Sequence, residues 1–253
     1  MVVDLQKAGL WKRIAAWLLD AILLGVLSVG FGFVLSAALG YDSYSQTLEA
    51  AYTKYESQYG VSFDIDQKTY EAMTPQEKAV FDKAYQALME DEQAINAYNM
   101  IISLSLLITT IGILLSVVVL EFLVPILLGN GATVGKKAFS LGLVRSDGVK
   151  INAMQLFVRS VLGKFTIETM IPLYLFMMMF WGLLGIMGTV IICGLGIAQI
   201  LLYACTRTSS VLHDLLAGTV VVDISSQRVF RDKNELIEYT KRIHAERAAR
   251  QDY

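Results

Sequence analysis

Three acidic side chains interrupt long apolar runs, and they are the residues of this chain best suited to chemistry. Asp20 is the only ionisable residue of 14–39, Glu121 is the only charge of 100–128, and Glu168 begins a further charge-free stretch. A carboxylate inside a membrane helix costs about 2.5 to 3.5 kcal/mol on insertion scales, so it normally faces a protein partner or a wet cavity. The pattern indicates either a path for protons or ions, or buried polar contacts that hold helices together.

Arg13 stands before the first apolar run, seven residues ahead of Asp20. At 3.6 residues per turn this spacing returns Asp20 to nearly the same helix face, so we expect the two charges to share one polar seam. Counted from the cytoplasmic helix ends assigned below, Asp20, Glu121 and Glu168 fall at a comparable depth.

The elements that position these charges are those of a membrane protein. The 253 residues are 55% hydrophobic and 17% charged, with a mean hydropathy of +0.52, which is too apolar for an ordinary soluble domain. About twenty apolar residues cross a bilayer, and the uncharged interval between Glu168 and Arg207 is long enough to cross twice. Gly182, Gly185 and Gly188 mark the predicted turn within it. The four predicted spans are 14–39, 100–128, 162–181 and 184–205.

Charge sorting predicts the topology. Lys7, Lys12 and Arg13 precede the first span, residues 41–99 are acidic, and residues 129–164 are basic. Basic loops favour the cytoplasm. We therefore expect a multi-pass protein of the cell membrane with both termini in the cytoplasm and residues 41–99 outside.

Residues 41–99 are too patterned for a plain linker. Tyrosines recur at helical spacing until Gly60, and Thr74, Pro75 and Glu77 form a capping-box start for a second helix that runs towards Asn96. The sequence predicts an external helical hairpin. Its tyrosine stripe is either the packed face of two helices or a ligand-binding surface.

Short elements are predicted on the cytoplasmic side. Residues 141–145 and 149–151 flank a turn sequence and predict a β-hairpin. A short helix through His213 and Asp214 should end at Gly218, and the strand that follows at 219–222 is a candidate partner for the hairpin. Asp232 begins a tail helix that reaches about Arg250.

Other kinds of site find little support in the sequence. Cys193 and Cys205 fit small packing residues, and His213 and His244 lie too far apart for a zinc site. No nucleophile and base stand at one membrane level, and there is no basic face for nucleic acid. We expect no enzyme activity, no metal and no cofactor.

Specific strings resemble the RDD family of multi-pass membrane proteins. They are Arg13 with Asp20, the run from Gly131 to Lys137 with the Leu-Gly-Leu-Val-Arg-Ser-Asp-Gly that follows, and the Val-Leu-His-Asp-Leu-Leu-Ala-Gly-Thr-Val-Val that begins at Val211. The resemblance covers roughly residues 7–224 and implies that Arg13, Asp20 and Asp214 are the family's name residues. It also implies a proposed transport of ions or other ligands.

The predicted fold class is an all-α integral membrane protein with four transmembrane helices, an external helical hairpin and a small cytoplasmic β element. Its parts are the N-terminus and first helix (1–40), the hairpin (41–99), the membrane core (100–224) and the C-terminal helix (225–253).

Two functions remain open. In the first, a seam of intramembrane acids carries a monovalent cation, a proton or a small solute. In the second, the protein is a scaffold or regulatory subunit that binds another membrane protein. The expected partners are the lipid bilayer and either a second copy or another membrane protein. The candidate functional charges are Arg13, Asp20, Glu121, Glu168, His213 and Asp214.

Overall fold

The computed structural model describes residues 5–168, 186–206 and 209–251. Within them the chain forms two compact units, one made of Met1–Val29 with Gly112–Tyr253 and the other of Gly30–Ile111. We call these the charged unit and the inserted unit. The helices in chain order are α1 (Leu10–Leu39), α2 (Tyr41–Tyr59), α3 (Gln67–Ala72), α4 (Pro75–Glu90), α5 (Glu92–Val117), α6 (Val124–Leu128), α7 (Val134–Ala138), α8 (Ala153–Phe157), α9 (Ile186–Cys205), α10 (Leu212–Ala217) and α11 (Lys233–Gln251). The strands are β1 (Leu141–Arg145) and β2 (Thr219–Asp223), and two π-helical segments cover Val118–Leu123 and Val158–Glu168.

Two helices of the described residues are long and apolar enough to cross a membrane: α1, and the continuous helix Glu92–Leu128. They contain the first two predicted spans. The third predicted span starts inside the second π-helical segment and then enters residues 169–185, which lie outside the described residues together with Gly182 and Gly185. α9 lies within the fourth predicted span, and Gly188 is inside this helix, so the predicted turn does not extend to Gly188.

The inserted unit is built on α2 and α4, which pack through Tyr55 and Leu88. α2 ends at Gly60, whose φ of 68° is left-handed, and both hydrogen bonds of the capping box at Thr74 are present, as predicted. α4 ends at Glu90, short of the predicted Asn96. Its end is set by the carboxylate of the next residue, Asp91, which accepts the first free N–H groups of α5.

The β element of the charged unit pairs β1 with β2 antiparallel, with Leu143 opposite Val221. This confirms the predicted pairing of the late strand. The predicted hairpin turn is present, because the Arg145 N–H donates to the Val149 carbonyl at 2.8 Å and Val144 bridges Lys150 antiparallel, but residues 149–151 form only this isolated bridge and not a strand. The Lys150 N–H donates to the Phe230 carbonyl at 2.8 Å, so this segment is held by the chain that leads to α11.

The N-terminal segment lies along the other edge of β2. The Asp223 N–H donates to the Gln6 carbonyl at 3.2 Å, and Lys7 bridges Val222. β2 therefore lies between a segment from the start of the chain and β1.

Candidate functional site

The charged unit contains a partly open cavity of about 320 Å³. Its wall combines α1, α7, the second π-helical segment, α9 and α10. The polar side chains that line it are Arg13, Asp20, Lys136, Arg159, Lys164, Glu168, Gln199, Tyr203, His213 and Asp214. Five of the six charges selected from the sequence line this cavity, and the sixth, Glu121, contacts one of the lining lysines.

Asp20 is held by the loop that opens α7. The Thr133 hydroxyl donates to Asp20 Oδ2 at 2.5 Å, and the Gly135 N–H donates to Oδ1 at 2.7 Å. Thr133 is the N-cap of α7, so the carboxylate accepts from groups at the positive end of that short helix. Two neutral donors thus bind the buried Asp20 side chain directly.

Gly135 allows this approach because it has no side chain. A Cβ there would lie 2.2 Å from the Ala16 carbonyl oxygen and 2.8 Å from Asp20 Cγ. No backbone atom can yield that far, so α7 meets α1 only with glycine at this position.

Arg13 binds backbone rather than a carboxylate. Its Nη1 donates to the Ser209 carbonyl at 2.7 Å and its Nη2 to the Val221 carbonyl at 2.9 Å, while the guanidinium carbon lies 5.6 Å from the centre of the Tyr203 ring. Arg13 Nε is buried and has no hydrogen-bond partner among the described residues. Arg13 and Asp20 therefore face one cavity. Arg13 forms no ion pair with Asp20 or with Asp214.

Glu121 lies in the first π-helical segment, is 2% exposed, and forms an ion pair with Lys164 through Oε1. The segment is closed by a hydrogen bond from Val124 N–H to the Val119 carbonyl, just before Pro125. Proline removes a backbone donor and crowds the preceding turn, which is a recognised cause of helix irregularity. Glu121 Oε2 is buried without a partner among the described residues.

Lys136 completes the basic side of the cavity. Its ammonium lies 3.3 Å from the Thr133 hydroxyl, which links it to the Asp20 contact. Burial, opposed by the charge of Glu121, lowers the pKa of Lys136 to about 8.

The most buried ion pair joins the second π-helical segment to α10. Arg159 Nε donates to Asp214 Oδ1 at 2.8 Å, and the two side chains are 4% and 2% exposed. The Thr219 hydroxyl adds a bond to the same oxygen at 3.1 Å. Burial raises the pKa of Asp214, but the charge of Arg159, its hydrogen bond to Asp214 and the other nearby charges together outweigh burial and hold the pKa at about 2. Asp214 therefore fixes α10 to the segment that carries the basic residues.

His213 connects this ion pair to Glu168. Its Nε2 lies 2.9 Å from Arg159 Nη2, and its Nδ1 lies 2.6 Å from Glu168 Oε1. A guanidinium only donates, so Nε2 accepts and the proton of a neutral imidazole is on Nδ1, where it donates to Glu168. Burial and the charge of Arg159 lower the pKa of His213. The histidine is a neutral link in a chain of charged groups.

Three basic residues of the site, Lys136, Arg159 and Lys164, and the neutral donors to Asp20 were not identified as site residues from the sequence. The three basic residues counted there only toward the basic character of residues 129–164. Arg159 and Lys164 are five residues apart and share one side only because their segment is π-helical, a state that regular helical periodicity does not reveal. The sequence did contain one signal for them: Arg159 and Lys164 stand just before Glu168 and the uncharged stretch that follows it.

A comparison with known families fits this geometry. The family model described as RDD family matches residues 7–218. The chain belongs to the RDD family. It is a family of multi-pass membrane proteins, and the matched range covers most of the residues that line the cavity. No curated protein sequence and no solved structure matches the chain.

Within this RDD protein, the three residues to which the resemblance assigned the family's name meet at one place. Arg13, Asp20 and Asp214 all line the cavity, each held by a different partner. Arg13 binds carbonyls, Asp20 binds the α7 cap, and Asp214 binds Arg159. The name residues thus converge on a shared space rather than on one another.

Proposed function

We propose that this RDD protein is a multi-pass transport protein of the cell membrane, in which the charged cavity passes a proton in exchange for a monovalent cation or a small charged solute. The observation that carries the proposal is the 2.6 Å contact between His213 Nδ1 and Glu168 Oε1 at the cavity wall. A hydrogen bond of this length joins two groups that both exchange protons, and intramembrane acids and histidines concentrate in proton relays.

The surrounding charges set the order of proton transfer. A proton from the cavity must first add at His213 Nε2, because only the resulting imidazolium can pass its Nδ1 proton to Glu168 and return to the neutral state. Protonation at Nε2 is opposed by Arg159, which needs that nitrogen as its acceptor. Proton entry and the Arg159 contact therefore compete for one atom, which couples the protonation of the histidine to the Arg159–Asp214 ion pair.

The charge balance of the site limits what the cavity accepts. Four cations, Arg13, Lys136, Arg159 and Lys164, stand with four acids, the three on the wall and Glu121 behind Lys164. A monovalent cation that enters must displace an internal cation or meet a deprotonated acid, and release of a proton supplies the latter. Exchange rather than one-way conduction follows. Because four helices make a thin wall around a pathway, the proposal includes assembly into a homo-oligomer.

The test is proton movement in vesicles that contain the purified protein. With a pH-sensitive dye inside, an outward potassium or sodium gradient should drive a pH change that protein-free vesicles lack. Glu168→Gln and His213→Gln, which retain hydrogen-bonding amides without a titratable group, should each lower the rate by about tenfold or more.

His244→Gln is the matched control, because His244 is an exposed histidine of α11. It should keep the wild-type rate. Folded protein that moves no protons under either gradient, or variants at Glu168 and His213 that move protons as fast as His244→Gln, would refute the exchange role.

The transport proposal includes four spans with both termini in the cytoplasm, and cysteine labelling tests this topology. After Cys193 and Cys205 are replaced by serine, a single cysteine at Ser57 should react with an impermeant reagent added outside the cell. A single cysteine at Ser146 should react only after the membrane is opened. The reverse pattern would invert the topology and place the charged cavity on the other side.

A second function is favoured by a specific observation. Each carboxylate of the site already has an internal partner among the described residues: Thr133 and Gly135 for Asp20, Lys164 for Glu121, His213 for Glu168 and Arg159 for Asp214. Such internal pairing suits a scaffold or regulatory subunit that binds another membrane protein. Under this alternative the vesicle assay gives no flux, and the same variants lose stability instead.

A further inference from the structure

The inserted unit contains a cavity of its own, of about 730 Å³, between α2, α4 and the loop that joins them through α3. Five aromatic rings line it: Tyr52, Phe63, Tyr70, Phe81 and Tyr85. Its volume lies in the range of small-molecule sites. All of it lies within Gly30–Ile111, so binding there is measured independently of any ion movement through the charged unit.

The rings form a connected panel centred on Phe63. The centre of the Phe63 ring lies 5.8 Å from that of Tyr52, 5.7 Å from that of Phe81 and 6.4 Å from that of Tyr85. The pairs are tilted or edge-on, an arrangement that leaves ring faces turned away from one another. Tyr52 and Tyr85 are 36% and 46% exposed, so part of the panel is open to a ligand.

The charged groups of this wall all have one sign. Every ionisable side chain that the structure describes on it is a carboxylate or a tyrosine, and the carboxylates are Glu49, Glu56, Asp64 and Asp82. Two of them have one oxygen engaged, Glu56 Oε1 by the Phe63 N–H at 2.6 Å and Asp82 Oδ1 by the Tyr70 hydroxyl at 2.8 Å. These bonds fix the carboxylates beside the rings, while Glu56 Oε2 and Asp82 Oδ2 remain for a donor or a cation.

The chain itself places a cation against this panel. The Lys78 ammonium lies 5.6 Å from the centre of the Tyr70 ring, within the distance for a cation–π contact, and donates to the Glu71 carbonyl at 2.8 Å. Lys78 is not one of the cavity-lining residues. It shows that the aromatic panel already accommodates an ammonium group at its edge.

We propose that this cavity binds a small organic cation with an ammonium or quaternary ammonium group. Aromatic faces attract the cation through their quadrupoles, and carboxylates at the rim supply the opposite charge. Neither contact requires the carboxylates to replace a tightly bound hydration shell of the cation. A metal ion, in contrast, would need several carboxylate oxygens converging on one point and would make no use of the rings.

Choline is the probe, and 3,3-dimethylbutan-1-ol, which has the same shape without the charge, is its control. Full-length protein is purified in a maltoside detergent, which carries no choline group, and binding is titrated by saturation-transfer NMR on the probe's methyl signal. Choline should give a saturable signal. The uncharged alcohol should bind at least about fivefold more weakly.

Two pairs of variants test the wall. Tyr85→Leu should weaken choline binding about threefold to fivefold, whereas Tyr98→Leu, which removes an equally exposed ring elsewhere in the inserted unit, should leave it unchanged. Asp82→Asn, which keeps an acceptor for Tyr70, should weaken binding similarly, with the exposed Asp42→Asn as its control. Equal binding of choline and the alcohol, or equal effects of the paired variants, would overturn the proposal, as would a choline signal that never saturates.

Discussion

Thr133 donates its hydroxyl to Asp20 across 113 residues of sequence, at a distance of 2.5 Å, and both side chains are buried. The bond joins α1 to the N-cap residue of α7. The two groups that bind the Asp20 side chain directly, the Thr133 hydroxyl and the Gly135 N–H, are therefore both neutral donors.

Substitutions of Asp20 separate its bonding from its charge. Asp20→Ala leaves the Thr133 hydroxyl and the Gly135 N–H without acceptors, at a cost of about 1 to 3 kcal/mol for each buried group. Asp20→Asn retains an acceptor for Gly135 and should stay within about 1.5 kcal/mol of wild type. Thermal unfolding of the purified protein measures both. If Asp20 also takes part in ion exchange, Asp20→Asn will keep its stability and lose flux, and a fully active Asp20→Asn would exclude that role.

Gly135→Ala should destabilise the charged unit. The added methyl would meet the Ala16 carbonyl, and an overpacked contact of this kind costs about 1 to 3 kcal/mol or more. Gly25 lies in α1, the helix that contains Ala16, and no atom lies within 4 Å of a Cβ added there, so Gly25→Ala should be tolerated. Similar melting temperatures for Gly135→Ala and Gly25→Ala would contradict the close approach of α7 to α1.

Asp214→Ala should cost far more than Asp223→Ala. Removal of Asp214 leaves Arg159 buried and unpaired, which costs about 3 to 5 kcal/mol. Asp223 pairs with Lys12, a lysine whose side chain is 48% exposed, and such surface pairs contribute about 0 to 1 kcal/mol. The yield and melting temperature of assembled protein report both losses. Equal losses in the two variants would remove the special role of Asp214.

Stability should fall as the pH drops below about 6.5, through His213. Because burial lowers the pKa of His213 in the folded protein, the unfolded chain takes up this proton at a higher pH, and protonation favours unfolding. Melting temperatures between pH 7.5 and 5 should decline in wild type and in His244→Gln, and decline less in His213→Gln. A common slope for all three would show that His213 does not carry the effect.

Lys136 should change its reactivity near neutral pH. Its pKa of about 8 means that the free amine is half-populated at a pH of about 8, well below the ordinary range of lysine. Competitive acylation followed by mass spectrometry should give Lys136 half of its limiting reactivity there. The exposed Lys137 supplies the reference rate in the wild-type protein, and a parallel sample of Lys137→Arg confirms which modification belongs to Lys136. Reactivity of Lys136 that keeps rising to pH 10 would contradict the shift.

The local elements followed from sequence because local rules set them. Gly218 ends α10 with a φ of 63°, Thr74 with Glu77 starts α4, and the Val-rich run before Asp223 forms β2. Each depends on residues within one or two turns of the chain, so composition and spacing were sufficient.

The partners within the site did not follow, for a physical reason. Buried charges pair by three-dimensional proximity, and opposite signs in sequence allow many pairings. Arg13 binds the backbone carbonyls of Ser209 and Val221, and a backbone carbonyl is present whatever the residue type. Asp214 pairs with Arg159 because the π-helical segment turns Arg159 towards α10. Backbone acceptors and helix irregularities are invisible to a pattern of residue types.

The separation between Asp20 and its donors also orders events during synthesis. Thr133 and Gly135 are made 113 and 115 residues after Asp20, which at about 5 to 20 residues per second is an interval of roughly 6 to 23 s. During this interval the Asp20 carboxylate is without the two groups that later bind it. A nascent chain stalled before residue 133 would therefore contain α1 with an Asp20 side chain that lacks both of these donors.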